Sequence, residues 1–240
     1  MNSHQWAEFV IGDLFTLQRP KSRKEDDYSN GDAPFVASGC VNNGVTKFCR
    51  PNDGEVLDLG NCLTISPVDG SCYYQPADCL GRGGAGSSII ILYARTFVLN
   101  RFNGLFISKA ISQTTSSKYS YGHMASLDRI KRDVILLPIT ADRQPDWQFM
   151  EGYMRQKEQQ ILKITINKLC KQLIYNQLGR GGNVTSSITS GKHLILLKSL
   201  PTLSVANVLK KQTIRKAIPL MYLPHRYQTV SMALLETRAA

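Results

Sequence analysis

Asp146-Trp147-Gln148-Phe149-Met150-Glu151-Gly152-Tyr153-Met154-Arg155 opens a run of helix-compatible residues that continues unbroken through Ile161-Leu162-Lys163 and Leu169-Cys170-Lys171 to about Leu178. Asp146 stands where a helix N-cap belongs, and Gly152 is the one weak helix former inside the run. Met150, Met154, Ile161, Leu162, Ile166, Leu169 and Leu173 fall at steps of three, four or seven, apart from the adjacent pair Ile161-Leu162. The opposite face carries Arg155, Lys157, Gln160, Lys163, Asn167 and Lys171. About 30 residues at ~1.5 Å rise each make a rod of roughly 45 Å, longer than a domain of about 130 residues needs to cover its own core. A stripe of that length seeks another helix, and Met150, Met154, Ile161, Ile166, Leu169 and Leu173 are the expected pairing residues. The alternative is a helix lying wholly on its own domain. Gly179-Arg180-Gly181-Gly182 ends the run.

Upstream, from Trp6 to Pro138, short apolar runs alternate with turn signals. Ala33 to Ala37 precedes Asn42-Asn43-Gly44, and Asn-Gly is a strong turn dipeptide. Asn61 to Ser66 reads as a strand, followed by a turn at Asp69-Gly70 and a second strand through Cys72-Tyr73-Tyr74. Gly81 to Gly86 reads as a flexible connection and Ser88 to Tyr93 as a buried strand. Leu99 to Ile111 has helical spacing, and Val134 to Leu137 is a last strand stopped by Pro138. The expected fold is α+β: a mixed domain over residues 1–143, one long helix over 146–178, and an irregular tail over 179–240.

Composition sets outer limits. The 240 residues are 42% hydrophobic and 20% charged, an ordinary globular balance. No stretch reaches the ~18 apolar residues of a membrane span, and Met1 to Glu8 lacks the basic start and apolar run of a signal peptide, so a cytoplasmic protein without membrane contact is expected. Cys40, Cys49, Cys62, Cys72, Cys79 and Cys170 contain no C-x2-C pair and read as reduced core residues rather than metal ligands. The net charge of +11 points to nucleic acid less directly than it first suggests. Residues 1–179 hold 20 Lys+Arg against 17 Asp+Glu, whereas 180–240 hold 9 against 1, so most of the excess lies in the tail.

No catalytic constellation stands out. Gly81-Arg82-Gly83-Gly84-Ala85-Gly86 is followed by the strand-like Ile89-Ile90-Ile91-Leu92, not by the helix that a phosphate-cradling loop requires. A methyl-transfer loop of the Asn/Asp-Pro-Pro-Tyr/Phe type and a Gly-x-Ser-x-Gly elbow are both absent from the sequence. Asp26, Asp27, Asp53, Glu55, Asp58, Asp69 and Asp78 sit mostly in turn-rich polar stretches, where Asp is favoured anyway.

Polar and aromatic residues do gather. Lys118, Tyr119, Ser120, Tyr121, Gly122 and His123 combine cations, hydroxyls and flat rings suited to phosphate and groove contact. Lys21, Arg23 and Lys24 form a second basic knot, and Asn42, Asn43 and Lys47 flank a third turn. Arg82 adds a possible phosphate contact within the glycine loop. These eleven residues, Gly122 and Ser120 aside, are the expected DNA-binding set; no catalytic or metal-binding residue is assigned.

The order of these features resembles a target recognition domain of the specificity subunits of type I restriction–modification systems. Trp6-x2-Phe9-x-Ile11-Gly12-Asp13-Leu14-Phe15 resembles its opening, and Pro34-Phe35-Val36 leading to Asn42-Asn43-Gly44-Val45 its next landmark. Tyr74-Gln75-Pro76, Leu99-Asn100-Arg101 through Ile107, Tyr119-Ser120-Tyr121-Gly122 and Leu136-Leu137-Pro138 follow in the family's order, and the helix after Asp146 resembles its spacer helix. The resemblance implies a non-catalytic subunit that binds double-stranded DNA and recruits methyltransferase subunits and a restriction (translocase) subunit. It implies no cofactor on this chain and S-adenosylmethionine on the methyltransferase. A complete specificity subunit has two recognition domains and two antiparallel spacer helices, so the chain reads as a half subunit, pairing through its helix as a homodimer or with a second half. Two other readings stay open: a stand-alone DNA-modifying or cleaving enzyme, and an assembly scaffold that no longer binds DNA.

The tail carries its own expectation. If each codon takes the last base of one codon and the first two of the next, Ser190 to Leu194 can encode Trp-Lys-Ala-Phe, a domain opening. Further shifted codons permit Pro-Tyr-Val-Ser-Ser and Ser-Asn-Gly-Val-Asp-Gly at spacings like those of the first domain. Residues after about Thr185 thus read as an out-of-frame translation of a second recognition domain, with a hydrophobic pattern never selected to fold.

Overall fold

The computed structural model describes residues 4–84 and 87–178, the side chains of 171 and 173–178 excepted. The tail expectation from residue 179 onward lies outside the described residues. Contacts divide the chain into two units between Lys168 and Leu169, within α-helical sequence.

Three small sheets carry the α+β domain. In the first, β1 (Trp6–Val10) pairs antiparallel with β9 (Val134–Pro138), so the two ends of the domain close on each other. The second has the order β2 (Phe15–Gln18), β8 (Ile90–Ala94), β5 (Cys62–Ile65), β6 (Cys72–Gln75), all antiparallel. In the third, β3 (Asn30–Val36) lies between β4 (Val45–Cys49) and the two-residue β7 (Leu80–Gly81), which runs parallel to it. The helices are α1 (Ile11–Leu14), α2 (Arg101–Thr115), α3 (Leu127–Arg132) and α4 (Trp147–Leu178).

The continuous apolar runs become the central strands. Ile90, Ile91 and Leu92 on β8 and all four residues of β5 are buried, as a strand covered on both faces requires. Ile90 and Leu92 join Ile11, Phe15, Leu63, Ile65, Ile107, Ile111, Ile130, Ile135 and Leu137 in one core. A smaller core of Tyr28, Phe35, Cys49 and Leu80 holds the third sheet.

α2 starts at Arg101 because Asn100 caps it. The Asn100 side chain accepts from the Phe102 and Asn103 N–H groups at 2.9 and 3.1 Å, and Asn103 Oδ1 accepts from Asn100 N–H at 2.7 Å. Its inner face is Asn103, Gly104, Ile107, Ser108, Ile111 and Thr115, a helical spacing. A Cβ on Gly104 would fall 2.6 Å from the Tyr74 ring, so glycine is what lets α2 approach the sheet. Ser112 then covers the exposed edge of β6: its hydroxyl accepts from Cys72 N–H at 2.8 Å and donates to Cys72 O at 3.2 Å.

α4 begins as the sequence indicates. Phe149 N–H donates to Asp146 Oδ1 at 2.8 Å, the N-cap bond, and His4 Nε2 lies 3.0 Å from Asp146 Oδ2 while its ring stacks on Phe149. Trp147 stacks on Phe97 with ring centroids 4.0 Å apart, and Met150 is fully buried in the domain core. Met150 is therefore corrected from a helix-pairing residue to an anchor of the helix on its own domain. Asn100 to Glu151 and Arg101 to Glu158 extend that anchor. Beyond it the stripe opens: Ile161 is 62% and Ile166 56% exposed, while Met154 and Leu169 are half-buried. The Leu173 side chain lies outside the described residues.

Two further expectations are corrected. Asn61 is not a strand residue: it has φ 49°, and its amide donates to Leu99 O while accepting from the Tyr74 hydroxyl. The glycine segment is not a loose connection where it is described. Gly81 belongs to β7 and Gly83 forms a parallel bridge with Ser22. A Cβ on Gly83 would sit 2.0 Å from Lys21 O, so this glycine permits two backbones to touch.

Candidate nucleic-acid interface

Arg23, chosen for its charge, points inward. Its side chain is 1% exposed, and Nε donates to Glu55 Oε1 at 2.7 Å, Nη1 to Asp58 Oδ2 at 2.6 Å and to Gly81 O at 3.1 Å, and Nη2 to Val56 O at 3.0 Å. Tyr28 completes the network by donating to Glu55 Oε1 at 2.9 Å. Burial alone would loosen the proton on Arg23, but the bond to Glu55 and the charge of Asp58 outweigh it and raise its pKa above the ordinary value. The guanidinium has no fork left for a phosphate, so Arg23 is a fold residue. Lys21 and Lys24, on either side of it, are exposed.

The loops bearing the remaining candidates are fastened to one another. The Ser22–Gly83 bridge joins the Lys21–Lys24 segment to the glycine segment that carries Arg82. Arg82 N–H donates to Val36 O at 2.7 Å, and its guanidinium donates to the Ser87 hydroxyl. Ser87 O in turn accepts from the Ser38 hydroxyl, at the start of the loop that carries Asn42 and Asn43. That loop is tied down by Gly39 N–H to Ser66 Oγ at 3.1 Å, Tyr73 OH to Cys40 O at 3.0 Å, and Gln75 Nε2 to Asn43 O at 2.9 Å. Asn42, Asn43 and Gly44 all have positive φ, a backbone that Asn and Gly tolerate best. Ser71 Oγ donates to Gly39 O at 3.3 Å, and the neighbouring Gly70 carbonyl accepts from the Thr115 hydroxyl at the end of α2. Lys118 follows three residues later. The Lys21–Lys24, Arg82, Asn42–Asn43 and Lys118–His123 segments thus succeed one another along one bonded set of loops.

Lys47 stands apart from that succession, on β4, where its ammonium donates to Tyr28 O at 2.8 Å. In the last cluster Tyr119 is buried, and its hydroxyl donates to Asp133 Oδ2 at 2.8 Å; burial and that carboxylate hold its pKa well above the tyrosine range. Lys118 Nζ donates to Asp133 Oδ1 at 2.8 Å with its side chain 46% exposed. His123 is exposed, and Tyr121 is 81% exposed. The structure adds Arg129, whose Nη1 lies 3.2 Å from both His123 Nε2 and Met124 O. The run Arg129-x-Lys131-Arg132 was the available signal, obscured by Asp128 and Asp133 on either side of it. Exposed ammonium, guanidinium, amide and phenol groups on connected loops suit phosphate positioning together with base-edge contact. Among the described residues no group of three or more His, Cys, Asp or Glu side chains could hold a metal, and no helix is long and apolar enough to cross a membrane.

A family model described as the type I restriction modification DNA specificity domain matches residues 3–167. The chain is 29% identical over 167 residues to the type II restriction enzyme BgcI specificity subunit S.BcgI of Heyndrickxia coagulans, covering 68% of this chain and 46% of that protein. Similar solved structures include the S subunit of a type I restriction–modification system from M. genitalium, with TM-score 0.45 and 15% identity over 72% of this chain and 43% of that one. The HsdS subunit of Thermoanaerobacter tengcongensis gives TM-score 0.44 and 20% identity over 68% and 39%. The chain spans about half the length of the curated relative it matches.

Proposed function

The chain belongs to the family of the type I restriction modification DNA specificity domain, and from that premise we propose that it reads a duplex DNA sequence on behalf of a restriction–modification assembly. The observation that carries the proposal is the family match over residues 3–167, which takes in every one of the connected polar loops. Lys21, Lys24, Arg82, Lys118 and His123 supply phosphate contacts; Asn42, Asn43 and Tyr121 supply groove contacts. Lys47, whose ammonium holds Tyr28 O with one of its three N–H donors, adds at most a secondary contact. The chain itself performs no chemistry on DNA. It docks methyltransferase subunits, which bind S-adenosylmethionine, and a restriction (translocase) subunit, in the cytoplasm.

The helix α4 sets the geometry of that assembly. Residues Met154, Ile161, Ile166, Leu169 and Leu173 pair it with the same helix of a second copy or of a second half subunit, giving two recognition domains related by a two-fold axis. Exposure of Ile161 and Ile166 supports this reading.

A mobility-shift titration tests the function. The full chain is expected to retard duplex DNA of a particular sequence, more tightly when methyltransferase subunits are added, and to leave the DNA chemically unchanged. Turnover of DNA by the purified chain alone would contradict it.

A further inference from the structure

The segment between α2 and α3 ends in a tight hairpin turn. Ser120 N–H donates to His123 O at 3.2 Å and His123 N–H to Ser120 O at 2.9 Å, which leaves Tyr121 and Gly122 as the two tip residues. The stem is clamped. Tyr119 and Lys118 both donate to Asp133, one to each carboxylate oxygen, at 2.8 Å. Asp133 is itself fixed: its N–H donates to Arg129 O and Ile130 O at 3.1 Å, and its carbonyl accepts from Ile11 N–H at 2.9 Å. The His123 ring lies parallel to the Tyr119 ring, 9° apart in plane, and contacts Arg129. Ala125 N–H donates to Pro67 O at 2.9 Å and ties down the exit of the segment.

Everything around the tip is therefore held, and the tip residue is not. Tyr121 is 81% exposed and makes no hydrogen bond or ring contact of its own among the described residues, while a Cβ on Gly122 would meet nothing within 4 Å. A large aromatic side chain so exposed on a rigid stem contributes little to the fold. For binding it is well prepared, since a tyrosine has few rotamers to lose and its backbone is already ordered. Lys118, Arg129 and His123 flank it with groups that suit phosphates on either side of a groove.

Resting on the DNA-recognition reading, we propose that Ser120–His123 is a preorganised reading turn, in which Tyr121 contacts base edges in a groove of the duplex and Asp133 is the positioning residue that aims it. The phenol hydroxyl donates to or accepts from a base edge, and the ring packs on a neighbouring base or thymine methyl. At this turn specificity then resides in Tyr121, while Lys118 and Arg129 contribute to affinity without regard to sequence.

The test starts from the duplex that the full chain enriches out of a pool with a randomised core. Affinities for that duplex and for each of its single-base-pair variants are measured with wild type, Tyr121→Ala, Tyr121→Phe and Asp133→Asn. Tyr121→Ala is expected to lose roughly ten- to hundredfold of the discrimination at one or two adjacent base pairs, with little change in binding to unrelated duplex. Its thermal unfolding should move little, because the side chain is 81% exposed and makes no hydrogen bond or ring contact. Tyr121→Phe should keep the share due to the ring, and Asp133→Asn should lose discrimination at the same base pairs and at no others. Should Asp133→Asn fail to fold, the tyrosine variants decide alone. Full retention of discrimination by Tyr121→Ala overturns the proposal and leaves DNA recognition standing, even if that variant loses a partner subunit instead. A wild-type chain that enriches no sequence removes the recognition reading, and the role of this turn with it.

Discussion

Arg23 Nη1 lies 2.6 Å from Asp58 Oδ2, with side chains 1% and 11% exposed, and both meet Gly81: its N–H donates to Asp58 Oδ2 at 3.0 Å and its carbonyl accepts from Arg23 Nη1 at 3.1 Å. Removing one partner of a buried, hydrogen-bonded ion pair leaves the others desolvated and uncompensated. Arg23→Met is expected to destabilise the protein by about 3–5 kcal/mol, read as a lower urea midpoint. A midpoint equal to that of wild type would mean that the network contributes nothing.

The same network responds to acid. Burial would raise the Glu55 pKa, but the hydrogen bonds from Arg23, Tyr28 and Asn52 hold it below the usual value; Asp146, bonded by His4 and the Phe149 N–H, is likewise lowered. A carboxylate whose folded pKa is depressed adds stability that is present above its unfolded pKa and lost as pH falls through the folded one. Urea midpoints should therefore fall as pH drops from about 5 toward 2, and Glu55→Gln should flatten that limb. An acid limb of unchanged slope in the variant would assign the effect to other groups.

Much of the architecture is written in local pattern. The apolar runs at Leu63 and at Ile90 to Leu92 read as buried strands, and Asp146 before a long 3.6-residue period reads as a helix opening, and both fold that way. The sign of a side chain's direction is less legible. Lys21, Arg23 and Lys24 look equivalent in sequence, yet Arg23 alone turns inward, because Glu55 and Asp58, more than thirty residues away, come to meet it. Met150 shares a stripe with Ile161, and nothing in the period says where the domain core stops covering it. Gly83 reads as flexibility until the backbone of Lys21 is found against it. Each of these errors is a long-range contact, to which local patterning is blind.

Neutralised and free lysines should separate in salt titrations. Lys21 and Lys24 are exposed, whereas Lys118 already faces the Asp133 carboxylate. Lys21→Ala and Lys24→Ala are each expected to reduce the slope of log affinity against log salt by about one. Lys118→Ala should reduce it by less. Equal effects at all three positions would show that the Lys118–Asp133 pair opens on DNA.

The two stretches of α4 should respond differently to substitution. Met150→Ala opens a hole in the core and is expected to cost about 2–5 kcal/mol of stability without altering association. Ile161→Glu with Ile166→Glu places charge on a stripe that is exposed in the single copy, so a dimer should become a monomer in sedimentation while the secondary structure of the domain holds. A wild-type chain that sediments as a monomer at high concentration, alone and with methyltransferase subunits, would contradict helix pairing.

Selection from a pool of duplexes with randomised cores tests sequence reading most directly. The full chain, with methyltransferase subunits present, should enrich one defined motif, and the enriched duplex should outcompete the starting pool by at least about a thousandfold at physiological salt. Retention of DNA with no motif enriched, and with competition equal for every duplex, would contradict the assignment of these loops to sequence recognition.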